Sequence, residues 1–113
     1  MTVAIARVTL FIGGSHSLKE KRMVLRRVKD LVRGKFNAAI AEVGEQDMWQ
    51  RAVLGITLVG NERKFVEEAL DEVLRFVRSH ANGAEVTDEE REIQTFAEGP
   101  GGLVGPGFKH WEG

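Results

Sequence analysis

Cysteine and tyrosine are absent from the chain, and its two prolines, Pro100 and Pro106, both lie near the C-terminus. Without thiols there is no disulfide, no thiolate nucleophile and no cysteine-built metal site, which fits a reducing, cytoplasmic setting. Histidine is scarce as well. His16, His80 and His110 stand far apart with no ligand spacing, so neither a metal site nor a cofactor is expected. No apolar run is long enough to cross a bilayer, and Met1 leads into an alternating segment instead of a basic and then apolar leader. No membrane role is expected. A net charge of −1 and a pI near 6.3 also argue against a generally basic nucleic-acid coat.

What is present is enough apolar material for one real core, 42% of 113 residues, and a single concentrated charge feature. That feature is SLKEKRMVLRRVKDLVRGKF, Ser17–Phe36. Ser17 and Glu20 form an S-x-x-E capping box, which gives a helix a defined start. Leu18, Val24, Leu25, Val28, Leu31 and Val32 recur at helical spacing on one face, and Lys19, Arg22, Arg26, Lys29 and Arg33 run along the other. Between Lys19 and Lys35 eight basic residues stand against Glu20 and Asp30, a local charge of +6. Such asymmetry points to a polyanion more than to a small substrate. The competing reading is a solvated face, or one paired with acidic residues such as Glu67, Glu68, Asp71 and Glu72 on a second helix or a subunit neighbour.

Around this helix the chain alternates between strand and helix patterns. Val3 to Ile12 places Ala4, Ala6, Val8, Leu10 and Ile12 on one side and Val3, Ile5, Arg7, Thr9 and Phe11 on the other. Gly13-Gly14-Ser15-His16 turns into the helix, and Gly34 is its expected C-cap. Asn37 to Val43 reads as a second strand and Trp49 to Val59 as a third, joined through Gly44-Glu45-Gln46-Asp47 as a hairpin. Asn61 is placed as N-cap of a second helix, Glu62 to about His80, whose apolar set Val66, Ala69, Leu70, Val73, Leu74 and Val77 is widened by Phe65 and Phe76. Asn82-Gly83 ends it, and Glu85 to Ile93 reads as an acidic edge strand. From Gln94 a Gly/Pro-rich tail follows, with Phe108 and Trp111 as a possible docking end. The expected division is a domain over 1–93 and a tail over 94–113.

The order β-α-β-β-α-β is the ferredoxin-like arrangement, an α+β fold with a four-stranded antiparallel sheet, both helices on one face and the first and third strands central. The open sheet face would carry Val3, Ile5, Thr9, Phe11, Val53, Thr57 and Val59 with Arg7 and Arg51. It is too apolar to be left to water, so a homodimer through this face, or cover by the tail, is expected.

Three blocks, SLKEKR after a two-glycine turn, FNAAIAEV, and QDMWQRAVLGITLVGN with its W-Q-R-A-x-L-G core, make the chain resemble the YlxP-like family of small bacterial proteins over roughly Met1 to Ile93. The resemblance implies a ferredoxin-like fold and a domain of unknown function. It also implies the company of translation-initiation and ribosome-maturation factors in gene neighbourhoods, and a loose ribosome-binding label.

Three site readings follow. Lys19, Lys21, Arg22, Arg26, Lys29 and Arg33 could track a phosphate backbone, with Trp49 and Arg51 on an unpaired base and its phosphate. For Trp49, packing or a dimer contact is the preferred alternative. Gly13, Gly14, Ser15 and Ser17 precede a helix N-terminus and form a weak anion site, although the capping box already explains Ser17. An acylphosphatase-like enzyme would carry an arginine in this loop and an asparagine on the third strand, and neither is present. Glu42, Glu45 and Asp47 cluster without a nucleophile, so a solvated turn is expected. The resulting expectation is a non-enzymatic module that binds RNA or the ribosome, or else a homodimeric regulator that binds an acidic protein.

Overall fold

In the computed structural model, which describes residues 1–81 and 83–97, the alternating N-terminal segment forms β1, Thr2–Phe11. It is followed by α1 (Leu18–Lys35), β2 (Ala39–Gly44), β3 (Arg51–Gly60), α2 (Arg63–His80) and β4 (Glu85–Thr95). The strands lie in the order β2-β3-β1-β4, all neighbours antiparallel, so the first and third strands are central and the fold is ferredoxin-like. The register of β1 on β3 pairs Ala4 with Leu58, Ala6 with Ile56, Val8 with Leu54 and Leu10 with Ala52. Since side chains directly across a ladder share a face, this set forms one apolar sheet surface. Leu25, Val28 and Val32 of α1 and Val66, Leu70, Val73, Leu74 and Val77 of α2 close over it. No helix among the described residues is long and apolar enough to cross a membrane.

Several boundaries differ from the sequence reading for physical reasons. β3 continues through Gly60, and Glu62, not Asn61, occupies the N-cap position of α2, without a side-chain cap bond. Gly34 lies inside α1, and Phe36 is the C-cap, its amide donating to the Val32 carbonyl. β4 continues through Gln94 and Thr95, which keep pairing with Val3 and Thr2, so the sheet extends past the expected boundary at Ile93. Leu31 and Phe65, assigned above to the buried stripes, are exposed. Gly83 takes a positive φ of 80° after α2. Asn82 and the tail beyond Ala97, with Phe108, His110 and Trp111, lie outside the described residues.

Candidate functional site

The cationic helix is built as its sequence implies, with one exception that changes its meaning. Ser17 caps α1 by accepting the Glu20 amide at 3.1 Å, and the Glu20 carboxylate reaches back to the His16 amide. On the outward side Lys19, Arg22, Arg26, Lys29 and Arg33 recur at alternating steps of three and four, which draws a straight stripe along a helix. Arg33 donates to the Ile40 carbonyl at 2.8 Å, so the stripe runs on the β2 side of α1. Lys35 lies instead toward α2, its Nζ 4.9 Å from the centre of the Phe76 ring.

Lys21 does not belong to the stripe. It is 1% exposed, and its Nζ donates to the main-chain carbonyls of Glu45 (2.7 Å) and Met48 (2.8 Å) and sits 2.9 Å from Glu42 Oε2. The Glu42 oxygen makes this contact by charge, without an aligned hydrogen bond. Lys21 is a buried staple between α1 and the β2–β3 connection. It should not be counted among the ligand contacts, and Glu42 is its counter-ion, not part of a solvated turn.

The acidic residues of α2 do not neutralise the stripe. Glu67 pairs within α2 with Arg63, and Asp71 pairs with Arg91 on β4. Among the described residues Lys19, Arg22, Arg26, Arg27 and Lys29 have neither an ion pair nor a side-chain hydrogen bond. Arg27 was not singled out from the sequence. It stands with Met23 and Leu31 on the outer flank of α1, where both apolar side chains are exposed.

Trp49 and Arg51 are not brought onto the stripe together. Arg51 opens β3 on the sheet face away from the helices, opposite Phe11, with its guanidinium 3.9 Å from Glu45. Trp49 stays in the β2–β3 connection and is 55% exposed within the single chain. The loop after β1 is also committed. Ser15 is buried and donates to the Ser17 carbonyl, and the Gln50 side-chain amide donates to the carbonyls of Gly13 and Ser15. The Ser15 amide closes the turn on the Ile12 carbonyl, and the His16 and Glu20 amides are taken up by the capping box, which leaves fewer of the amides around Gly13, Gly14, Ser15 and Ser17 for an anion.

The open sheet face holds the residues assigned to it. Val3, Ile5, Arg7, Thr9 and Phe11 of β1 lie opposite Val59, Thr57, Gly55, Val53 and Arg51 of β3. Val59 is 56% exposed and Ile5 43%. Val43 of β2 lies over Gly55 on the same face. Asp88, Glu90 and Glu92 of β4 form an acidic row beside this apolar strip, and Arg7 is held by Glu90 at 2.6 Å. The hydrogen bond to Glu90, more than its charge, raises the Arg7 pKa further. No group of three or more His, Asp or Glu side chains among the described residues is arranged to hold a metal ion.

Residues 3–91 match the family model described as a protein of unknown function, DUF503. The chain belongs to the DUF503 family. Both SLKEKR and W-Q-R-A-x-L-G fall inside the matched region. A relative, the uncharacterized protein YlxP of Bacillus subtilis (strain 168), is 43% identical over 77 residues, covering 68% of this chain and 84% of the relative. Among solved structures, a de novo designed protein with a ferredoxin fold is similar at 15% identity and a TM-score of 0.49, covering 87% of this chain and 88% of its own. The cofactor-independent oxygenase SnoaB from Streptomyces nogalater is similar at 13% identity and a TM-score of 0.46, covering 88% of this chain and 96% of its own. Nothing about activity passes to this DUF503 chain from either structure.

Proposed function

We propose that this DUF503 protein is a non-enzymatic module that binds structured RNA, on the ribosome or free, along the outward stripe of α1, and that a second copy covers its open sheet face. The observation that carries the RNA reading is the row from Lys19 to Arg33, about 21 Å long at 1.5 Å per residue, whose first four members are uncompensated among the described residues. Rows of Lys and Arg contribute affinity through phosphates and counterion release, with no base readout required. Against pairing with the second helix of the same chain, Asp71 and Glu67 are engaged elsewhere.

The deciding experiment is co-sedimentation with ribosomes and with a structured RNA at two salt concentrations, using the full chain and Arg22→Glu/Arg26→Glu/Lys29→Glu. The proposal expects binding that weakens steeply with salt and disappears in the variant while the fold is kept. A partner retained after nuclease treatment would assign the stripe to an acidic protein instead.

A further inference from the structure

The connection between β2 and β3 is pinned on both sides of Trp49. Before it, Lys21 Nζ holds the Glu45 and Met48 carbonyls at 2.7 and 2.8 Å, and the Met48 amide closes back on the Glu45 carbonyl. Glu45 makes the bend by taking a positive φ of 59°. After it, the Gln50 carbonyl accepts the Ile12 amide at 2.7 Å, and the Gln50 side chain holds the Gly13 and Ser15 carbonyls. Trp49 thus sits between two anchored neighbours and is still 55% exposed. A flexible loop that happened to carry a tryptophan would not have this arrangement. Here a buried lysine and an amide side chain fix the backbone, and the indole, the largest apolar side chain available, is left outside.

Lys21 relates this loop to the stripe. Its buried amine ties the backbone beside Trp49 to the first turns of α1, where Lys19 and Arg22 begin the unpaired row. An exposed indole on a backbone anchored to the start of a phosphate-tracking row matches the way proteins hold unpaired nucleotides, with cations on the backbone and a ring face for the base. Bases inside a duplex have both faces covered by their neighbours and could not use it.

We infer that Trp49 is a stacking platform for an unpaired base, so that the preferred ligand is an RNA in which a single-stranded loop adjoins the segment bound by Lys19, Arg22, Arg26 and Lys29. This rests on the RNA reading of the stripe and adds the class of RNA. Stacking on one aromatic side chain is worth about tenfold in affinity or more.

The test uses the full chain with Trp111→Phe, so that Trp49 is the sole tryptophan, and two probes, an RNA hairpin with an unpaired loop and a blunt RNA duplex of the same length. Both probes should bind, the hairpin about tenfold tighter and with quenching of Trp49 fluorescence. Trp49→Ala, made in the same background, should lose that preference while keeping its affinity for the duplex, and Trp49→Phe should keep part of the preference. Arg22→Glu/Arg26→Glu should lose both probes. Equal binding of the two RNAs without quenching, or a preference that survives Trp49→Ala, overturns the stacking inference and leaves the stripe reading standing. Failure of both probes to bind overturns the two together. Fluorescence that changes with protein concentration and not with RNA would place Trp49 in a contact between copies, which also overturns it.

Discussion

Lys21 of α1 and Glu42 of β2 meet at 2.9 Å, with the lysine almost fully enclosed and the carboxylate largely so. The same ammonium satisfies two main-chain carbonyls of the β2–β3 connection, so one side chain joins helix, strand and loop. Removing one partner of a buried pair strands the other. Lys21→Met is therefore expected to destabilise the fold by about 3 kcal/mol or more. Lys19→Met, two residues away on the exposed side, should stay within about 0.5 kcal/mol. Urea unfolding of the two variants checks the contrast. Equal small effects would mean that Lys21 is not a staple.

Gly60 closes β3 where the first turn of α2 comes closest. A methyl group placed there would lie 2.7 Å from Cγ2 of Val66, and Val66 is itself buried in the core. A buried β-branched side chain has little room to give way. Gly60→Ala should cost about 1 to 3 kcal/mol by overpacking, read as a lower denaturation midpoint at unchanged slope. Gly14→Ala meets nothing within 4 Å and serves as the control.

Asp71 of α2 and Arg91 of β4 hold the last strand to the second helix on the helix side of the sheet. The hydrogen bond from Arg91 is the main cause that draws the Asp71 carboxyl below its ordinary value of 3.8, with burial opposing and the charges of Arg91, Arg75 and Arg78 assisting. A carboxyl whose folded pKa lies below its unfolded one contributes stability above the unfolded value, and that contribution fades as pH falls through the folded value. An NMR titration of the Asp71 carboxyl should show a midpoint below 3.8 that returns toward it in Arg91→Gln. A midpoint unchanged by Arg91→Gln would refute the pairing in solution.

The open face leads to a prediction about assembly. Ile5, Phe11, Val43 and Val59 leave an apolar strip in water beside the acidic row of β4. If a second copy covers the strip, Val59→Glu adds a charge to a buried contact and should shift the protein to monomer in sedimentation equilibrium. The monomer should remain folded, because Val59 does not face the helices. A wild-type chain that is already monomeric at high concentration would refute the second copy.

Period-two alternation made β1 and β3 legible because each has one face wholly committed to the core, and the open-face residues followed from the same parity. Lys21 was misplaced although a signal existed. It stands four, seven and eleven residues before Leu25, Val28 and Val32, on the buried side of α1, and its residue type outweighed its spacing. What could not be read is its set of acceptors, since Glu45 and Met48 lie 24 and 27 residues away and present main-chain oxygens that leave no trace in side-chain identity. The same holds for Gln50, whose side-chain amide holds two main-chain carbonyls of the loop after β1, Gly13 and Ser15. At the start of α2 residue type and position part: Asn61 is the stronger capping residue type, but the helix begins at Arg63 and its N-cap position falls on Glu62.

The stripe yields the most quantitative expectation. Lys19, Arg22, Arg26 and Lys29 make no ion pair among the described residues, so each is available to displace counterions from a phosphate. Each phosphate neutralised contributes about 0.7 to 0.9 to the slope of log affinity against log salt. Replacing Arg22, Arg26 and Lys29 together by glutamine should therefore lower that slope by about 2 to 3 for any RNA the chain binds. Arg22 and Arg26 are exposed and Lys29 is half-buried, none of them in the core, so thermal stability should change little. Lys35→Gln should leave the slope nearly intact, because that ammonium lies over the Phe76 ring on the other flank of the helix. A slope lost equally through Lys35 and through the stripe would mean diffuse attraction to the whole basic segment. A slope lost only through the stripe would mean a register of contacts along one line.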